Sequence, residues 1–289
     1  MEKNSVHILR LLISYIIFGS IGIFVKYIPL SSAAIAAIRG ICGAVFIVLF
    51  IKVSKKKLSL VEIKSNIFLL FLSGLAIGFN WIFLFEAYKY TTIATATLCY
   101  YMAPVFVMIA APLFLKERLT VKSTVCVLAA VLGMVFVSGK TAGTSDLRGI
   151  FFGLAAAVLY AVCIICNKRM GQISAETRAF VQLLTAGVTV LPYAFLTDGF
   201  REVSLDTTAI ILIITVGIVH TGIAYVMNLG SVARVPAATV AVLSYTDPIV
   251  AIILEAIITM SVPSLNVIAG AVLILGAAAV SSIESKKSA

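Results

Sequence analysis

Apolar runs of about twenty residues, nearly free of charge, recur from one end of this 289-residue chain to the other, and no other feature constrains its fold so tightly. A bilayer core about 30 Å thick is crossed by roughly 20 residues of α-helix, so each run is long enough to span one. The runs predict helices at 9–28, 32–51, 67–88, 93–115, 121–138, 149–166, 177–196, 209–229, 237–258 and 265–283. With 62% hydrophobic and only 12% charged residues, the chain has no stretch left over for a soluble domain. The expectation is an all-α integral membrane protein of ten transmembrane helices.

The first run follows Lys3 and Arg10, as in a signal peptide, but it is long and lacks a small-residue cleavage site, so it reads as a retained helix. All five cysteines fall inside predicted spans, which is no disulfide framework, and Cys163-x-x-Cys166 reads as packing rather than as a metal or redox motif. No metal or cofactor is expected.

The net charge of +10 sits in short loops, where it orients the chain rather than recruiting nucleic acid. Lys52, Lys55, Lys56, Lys57 and Lys64 follow the second span, Lys116, Arg118 and Lys122 the fourth, Lys168, Arg169 and Arg178 the sixth, and Arg234 the eighth, while Lys286 and Lys287 end the chain. The alternate loops hold only Lys26, Lys89, Lys140, Arg148 and Arg201, the last beside Asp198, Glu202 and Asp206. Both termini are expected in the cytoplasm of a bacterial-type cell, with the chain multi-pass in its inner membrane.

The halves resemble each other. Ala94 to Val105 and Ala238 to Ile249 share Ala, Thr, Tyr and Pro without a gap, and Phe18-Gly19 with Lys26 is echoed by Tyr160-Ala161 with Lys168. Units of five helices, at 1–140 and 141–289, enter the membrane from opposite sides, so the duplication is predicted to be inverted.

Phe18-Gly19 and Lys26, Arg39, Ala87 through Pro104, Leu113-Phe114-Leu115-Lys116-Glu117 and Asp247-Pro248-Ile249-Val250-Ala251 follow one another in an order that resembles the drug/metabolite transporter superfamily, in its ten-helix branch with two EamA domains. The resemblance covers essentially the whole chain. It implies a central cavity between the repeats, peripheral fifth and tenth helices, and alternating access by rocking of the bundle. Two departures stand out: the second-half counterpart of Glu117 falls near Ser261, and Glu86 and Glu255 occupy positions that are more often uncharged in the family.

Ionisable groups inside a membrane normally face the bundle interior and have a role, which singles out Arg39, Glu86, His220, Asp247 and Glu255. Ser244, Asp247, Ala251 and Glu255 recur at helical spacing and form one stripe expected to line the cavity. Pro248 frees a backbone carbonyl one turn earlier, a candidate substrate contact. Asp247 is as readily an interhelical hydrogen-bonding group as a coupling site, and an Arg39 pair with Glu86 or Glu255 serves structure or an outer gate equally well. His220 has the intrinsic pKa of a proton relay, although a lone intramembrane His more often bonds to a neighbouring helix. Asn80, Trp81, Tyr100, Tyr101, Tyr225 and Asn228 add aromatic and amide groups, and Trp81, Phe85 and Tyr88 share a face that suits a ring or an ammonium if it looks inward, and lipid packing or an interfacial belt if it does not.

Only two histidines exist and no nucleophile–base motif is present, so an enzyme is not expected. The residues point to a secondary transporter of a small amino-acid-like molecule, amine or related metabolite, with export favoured and protons as a candidate coupling ion. Import of a choline-like compound, multidrug efflux and, more remotely, a non-transporting receptor or scaffold stay open. An interior with three acids against one arginine argues for neutral, zwitterionic or cationic substrates and against nucleotide sugars. Lipid is the expected solvent, and the oligomeric state is not encoded.

Overall fold

The computed structural model of the chain describes residues 2–115, 121–138, 147–197, 205–232, 234–235, 240, 243–260 and 262–284. Among these residues every regular element is helical. The loop and tail charges expected at Lys116, Arg118, Lys140, Arg201 and Lys286–Lys287 lie outside the described residues, as do Glu117 and Ser261.

The first three helices, α1 (Glu2–Lys26), α2 (Ser32–Val53) and α3 (Leu60–Tyr90), follow the predicted spans with longer ends. Small hydroxyls start them: Ser31 Oγ accepts from Ala34 N at 3.0 Å and Ser59 Oγ from Glu62 N at 3.3 Å, each satisfying an orphan donor of a first turn. The fourth span is not one straight helix. It divides into α4 (Ile93–Tyr100) and α5 (Ala103–Phe114), because Pro104 has no N–H to give and the chain tightens through short Met102 N to Cys99 O and Val105 N to Met102 O bonds.

Then come α6 (Val121–Ser138), α7 (Leu147–Arg169), α8 (Ala175–Leu196) and α9 (Thr207–Thr215). The eighth span departs from expectation: it passes from α9 through a π-helical segment, Val216–Ile223, into α10 (Ala224–Val232). π segments inside α-helices concentrate at functional sites, and this one carries His220 and Thr221. The last helices are α11 (Thr246–Thr259), with Pro248 in its first turn, and α12 (Leu265–Glu284).

Seven helical spans are long and apolar enough to cross a bilayer, and shorter apolar helices lie at Thr124–Phe136 and Leu265–Ala277. Phe68, Phe71, Leu132, Phe151, Ile211, Ile257 and Val272 point outward on their surfaces. In water such a coat would aggregate, whereas lipid solvates it.

Inside, α3 lies along α7 and α8, α2 along α8 and the π segment, and α1 along α10 and α11, while α6 packs chiefly on α12 at the periphery. Glycine permits a close approach of backbones between α2 and α8. A Cβ on Gly40 would come within 2.7 Å of the Gly187 nitrogen and 2.8 Å of its Cα, backbone atoms that cannot swing aside. Gly40→Val is therefore expected to cost at least about 1–3 kcal/mol through overpacking. Thermal denaturation in detergent should show it melting well below both the wild type and Val45→Ala, a truncation on the exposed face of the same helix.

Candidate substrate-binding cavity

The broken helices surround a central cavity of about 470 Å³, within the usual size range of small-molecule sites. Its walls come from α1 to α5, α7, α8, α10 and α11, and among the described residues none of α6 or α12 contributes. The helices α6 and α12 thus stand apart from the cavity and pack on each other.

Arg39, 5% exposed, lines the cavity from α2. Its guanidinium lies over the Trp81 ring at 3.9 Å and over Phe85 at 5.5 Å, while Nε donates to Thr221 Oγ1 at 3.1 Å. The Thr221 hydroxyl in turn donates to the Val216 carbonyl at 3.0 Å, so the π segment positions the acceptor that fixes the guanidinium plane. The expected carboxylate partner is absent: among the described residues the ion pairs are Lys89–Glu86 and Lys56–Glu176. Aromatic quadrupoles hold this arginine instead, a contact worth about 2 kcal/mol where desolvated. The residue lines the cavity, and among the described residues no ion pair engages it.

Asp247 lines the cavity from the first turn of α11, with the Tyr101 hydroxyl beside it. That hydroxyl donates to the Ser244 carbonyl at 2.9 Å. This carbonyl, freed by Pro248, was the candidate substrate contact; in the structure a tyrosine from the other half of the chain occupies it. Gly19 lies against the Asp247 carbonyl, where a Cβ would collide, so α1 and α11 meet backbone to backbone.

Tyr100 packs on Tyr160 with ring centroids 5.2 Å apart, and Phe18 meets Tyr225 edge-on at 5.7 Å. Asn80 lines the wall while its amide donates to Ala156 O at 2.6 Å, and Asn228 approaches Ser14 Oγ at 3.4 Å. Trp81 and Tyr88 both line the cavity, so the aromatic face of α3 looks inward.

Three expected site residues stand elsewhere. Glu255 is buried on the Asp247 stripe but beyond the cavity, where Oε1 accepts from Ile93 N at 2.8 Å and Oε2 from Ala94 N at 2.7 Å, capping α4. Glu86 pairs with Lys89 at 2.8 Å one turn along its own helix. His220 lies behind the wall, with Nε2 3.0 Å from Ser20 Oγ and its ring 4.7 Å from Phe24. The stripe therefore lines the cavity only at Ser244 and Asp247.

The cavity's charge balance is thereby reversed from the sequence expectation. Its charged lining residues are Arg39, Arg178 and Asp247, two cations against one anion. Arg178 had read only as a loop charge. Tyr15, Phe18, Tyr160, Asn167 and Gln182 also line the walls unannounced, although the Phe18–Tyr160 echo between halves was a usable signal.

The profile of the EamA-like transporter family matches this chain twice, over residues 6–139 and 147–283. The chain belongs to the EamA-like transporter family. Among EamA-like relatives, "Uncharacterized transporter YxxF" of Bacillus subtilis is 28% identical over 277 residues, covering 94% of this chain and 88% of the relative. The "Aromatic amino acid exporter YddG" of Ancylobacter novellus is 26% identical over 211 residues, 71% of this chain and 72% of the relative. A solved crystal structure superimposes with a TM-score of 0.64 at 18% identity, over 96% of this chain and 98% of that one, a likeness of fold. An EamA-like chain with this many apolar helices is a multi-pass membrane protein of a transporter family, for which a small-molecule substrate and surrounding lipid are implied.

Proposed function

We propose that this protein is a secondary transporter of aromatic amino-acid-like zwitterions, exporting them across a bacterial-type inner membrane by alternating access. The observation that carries this reading is one ring-lined cavity that holds both Asp247 and Arg39, the latter in no ion pair among the described residues. A substrate carboxylate takes the free fork of Arg39 and its ammonium faces Asp247. Its side-chain ring lies among Tyr100, Tyr160 and Tyr225. The relative named as an aromatic amino acid exporter supports the same class.

Ten crossings in two inverted five-helix repeats, 1–140 and 141–289, with both termini cytoplasmic, complete the proposal. The pairing of elements supports it. Exchanging the halves carries the α3–α7 contact onto α1 with the π segment and α10, and carries the α2–α8 and α6–α12 contacts onto themselves. Loop charge then places the α7–α8 end of the cavity at the cytoplasm. Cationic drugs suit a lining of two arginines and one aspartate poorly, and membership of a transporter family supports transport rather than catalysis.

The test is flux in proteoliposomes of L-phenylalanine beside L-phenylalaninamide, which keeps ring and amine but lacks the carboxylate. Phenylalanine should move at least about tenfold faster, the cost of leaving Arg39 unpaired. Equal rates would contradict the reading. Asp247 is also where a proton and the ammonium compete, so a pH gradient should drive wild-type flux and lose its effect in Asp247→Asn. Asp247→Asn flux that follows the gradient as the wild type does would remove the coupling role.

A further inference from the structure

We propose that Arg178 is a second carboxylate-binding station, at the cytoplasmic mouth of the cavity, that recruits the substrate before Arg39 receives it. The inference rests on the proposed transport reading and adds to it a residue that sets which charge enters.

Arg178 lies one turn inside α8, partly buried, and lines the same cavity as Arg39 and Asp247. Two acids stand close by in sequence or space, and both are already engaged. Glu176 pairs with Lys56 on the α2–α3 connection. Glu62 Oε2 accepts from Ser174 N at 3.0 Å and from Ser174 Oγ at 3.2 Å. Those contacts fix the entrance of α8 against the start of α3 and hold both carboxylates on other partners.

The neighbouring wall is polar yet internally satisfied. Gln182 Nε2 donates to Ser73 Oγ at 2.7 Å and to Asn167 Oδ1 at 2.8 Å, and Asn167 Nδ2 approaches Cys163 Sγ at 3.5 Å. This network ties α3, α7 and α8 together and holds a rigid rim. Among the described residues no ion pair engages the Arg178 side chain.

An arginine left without a carboxylate at the rim of a cavity whose next cation is another unpaired arginine makes a graded path for an anion. The carboxylate exchanges solvent for Arg178 and then Arg178 for the more deeply buried Arg39. Partial exposure keeps the first station weak enough to release its ligand, whereas Arg39 is enclosed by rings.

Uptake of L-phenylalanine into everted membrane vesicles, which present the cytoplasmic face, tests this. Arg178→Gln is expected to raise KM about tenfold with Vmax within about twofold, the loss of one charge-assisted contact in recruitment. Arg178→Lys should restore most of the affinity. Raising ionic strength should raise the wild-type KM and leave that of Arg178→Gln nearly unchanged, because salt screens a partly exposed charge. An unchanged KM in Arg178→Gln, or a fall in Vmax alone, would overturn the station and reduce Arg178 to a packing or topology charge. Failure of the transport reading looks different, since wild-type vesicles would then move L-phenylalaninamide as fast as L-phenylalanine or move neither.

Discussion

Arg39→Gln is expected to lower kcat/KM for L-phenylalanine about a hundredfold or more while the protein still folds. Truncating one side of a desolvated charge pair costs about 2–5 kcal/mol, and each 1.4 kcal/mol, roughly, is tenfold. Folding should survive because no buried acid depends on Arg39 for its counter-charge. Thr221 keeps its own bond to the Val216 carbonyl, and the Trp81 and Phe85 rings lose only a cation above them. Arg39→Lys should recover less than a tenth of the lost efficiency, since an ammonium cannot both stack on Trp81 and present a planar fork. Initial-rate flux in proteoliposomes, paired with thermal denaturation to confirm folding, measures both. Near-normal flux in a well-folded Arg39→Gln protein would remove the arginine from the substrate path.

Glu255→Ala should be the most destabilising of the acid substitutions. Each carboxylate oxygen accepts from a first-turn amide of α4, and α4 belongs to the other half of the chain. The contact combines charge-assisted hydrogen bonds with the favourable field at a helix N-terminus. Removing it leaves two buried amides unsatisfied, a loss of about 2–3 kcal/mol. Glu255→Gln keeps one acceptor oxygen and should lose roughly half as much. In detergent the alanine variant should melt several degrees below the wild type with glutamine between them, whereas Glu86→Ala, which breaks only a partly exposed pair to Lys89, should melt with the wild type. Equal melting of Glu255→Ala and Glu86→Ala would show that the capping contact contributes nothing.

Much of this architecture was legible because lipid imposes a simple rule on sequence. The helix Val121–Ser138 begins and ends where charge interrupts apolar residues, and helical spacing gathered Trp81, Phe85 and Tyr88 on one face of α3, although only packing shows that this face turns inward. Asp247 beside Pro248 marked a cavity-lining position because charge and helix disruption coincide there. The failures have physical causes. Spacing placed Glu255 on the Asp247 stripe, but periodicity resolves the face of a helix and not the depth at which a cavity stops. A carboxylate pair for Arg39 was the geometrically plausible arrangement, because ion pairing is the usual way to tolerate a buried guanidinium, yet three aromatic or hydroxyl groups do it here. Arg178 was hidden by its position, since a cation at a helix entrance looks like one more orientation charge. The π segment left no trace in composition, for Val216–Ile223 is as apolar as an ordinary helical turn. What remained unread was therefore mostly where polar atoms end up after packing.

The chain's single tryptophan, Trp81, lies beneath the Arg39 guanidinium on the cavity wall, so its fluorescence reports directly on the proposed site. Titrating the purified protein with L-phenylalanine, excited where only tryptophan absorbs, should give a saturable change as the carboxylate draws the guanidinium from the ring. The change should vanish in Arg39→Gln and be absent with L-phenylalaninamide. A wild-type signal that stays flat at every phenylalanine concentration, or an equal response from Arg39→Gln, would contradict a substrate site between Arg39 and Asp247.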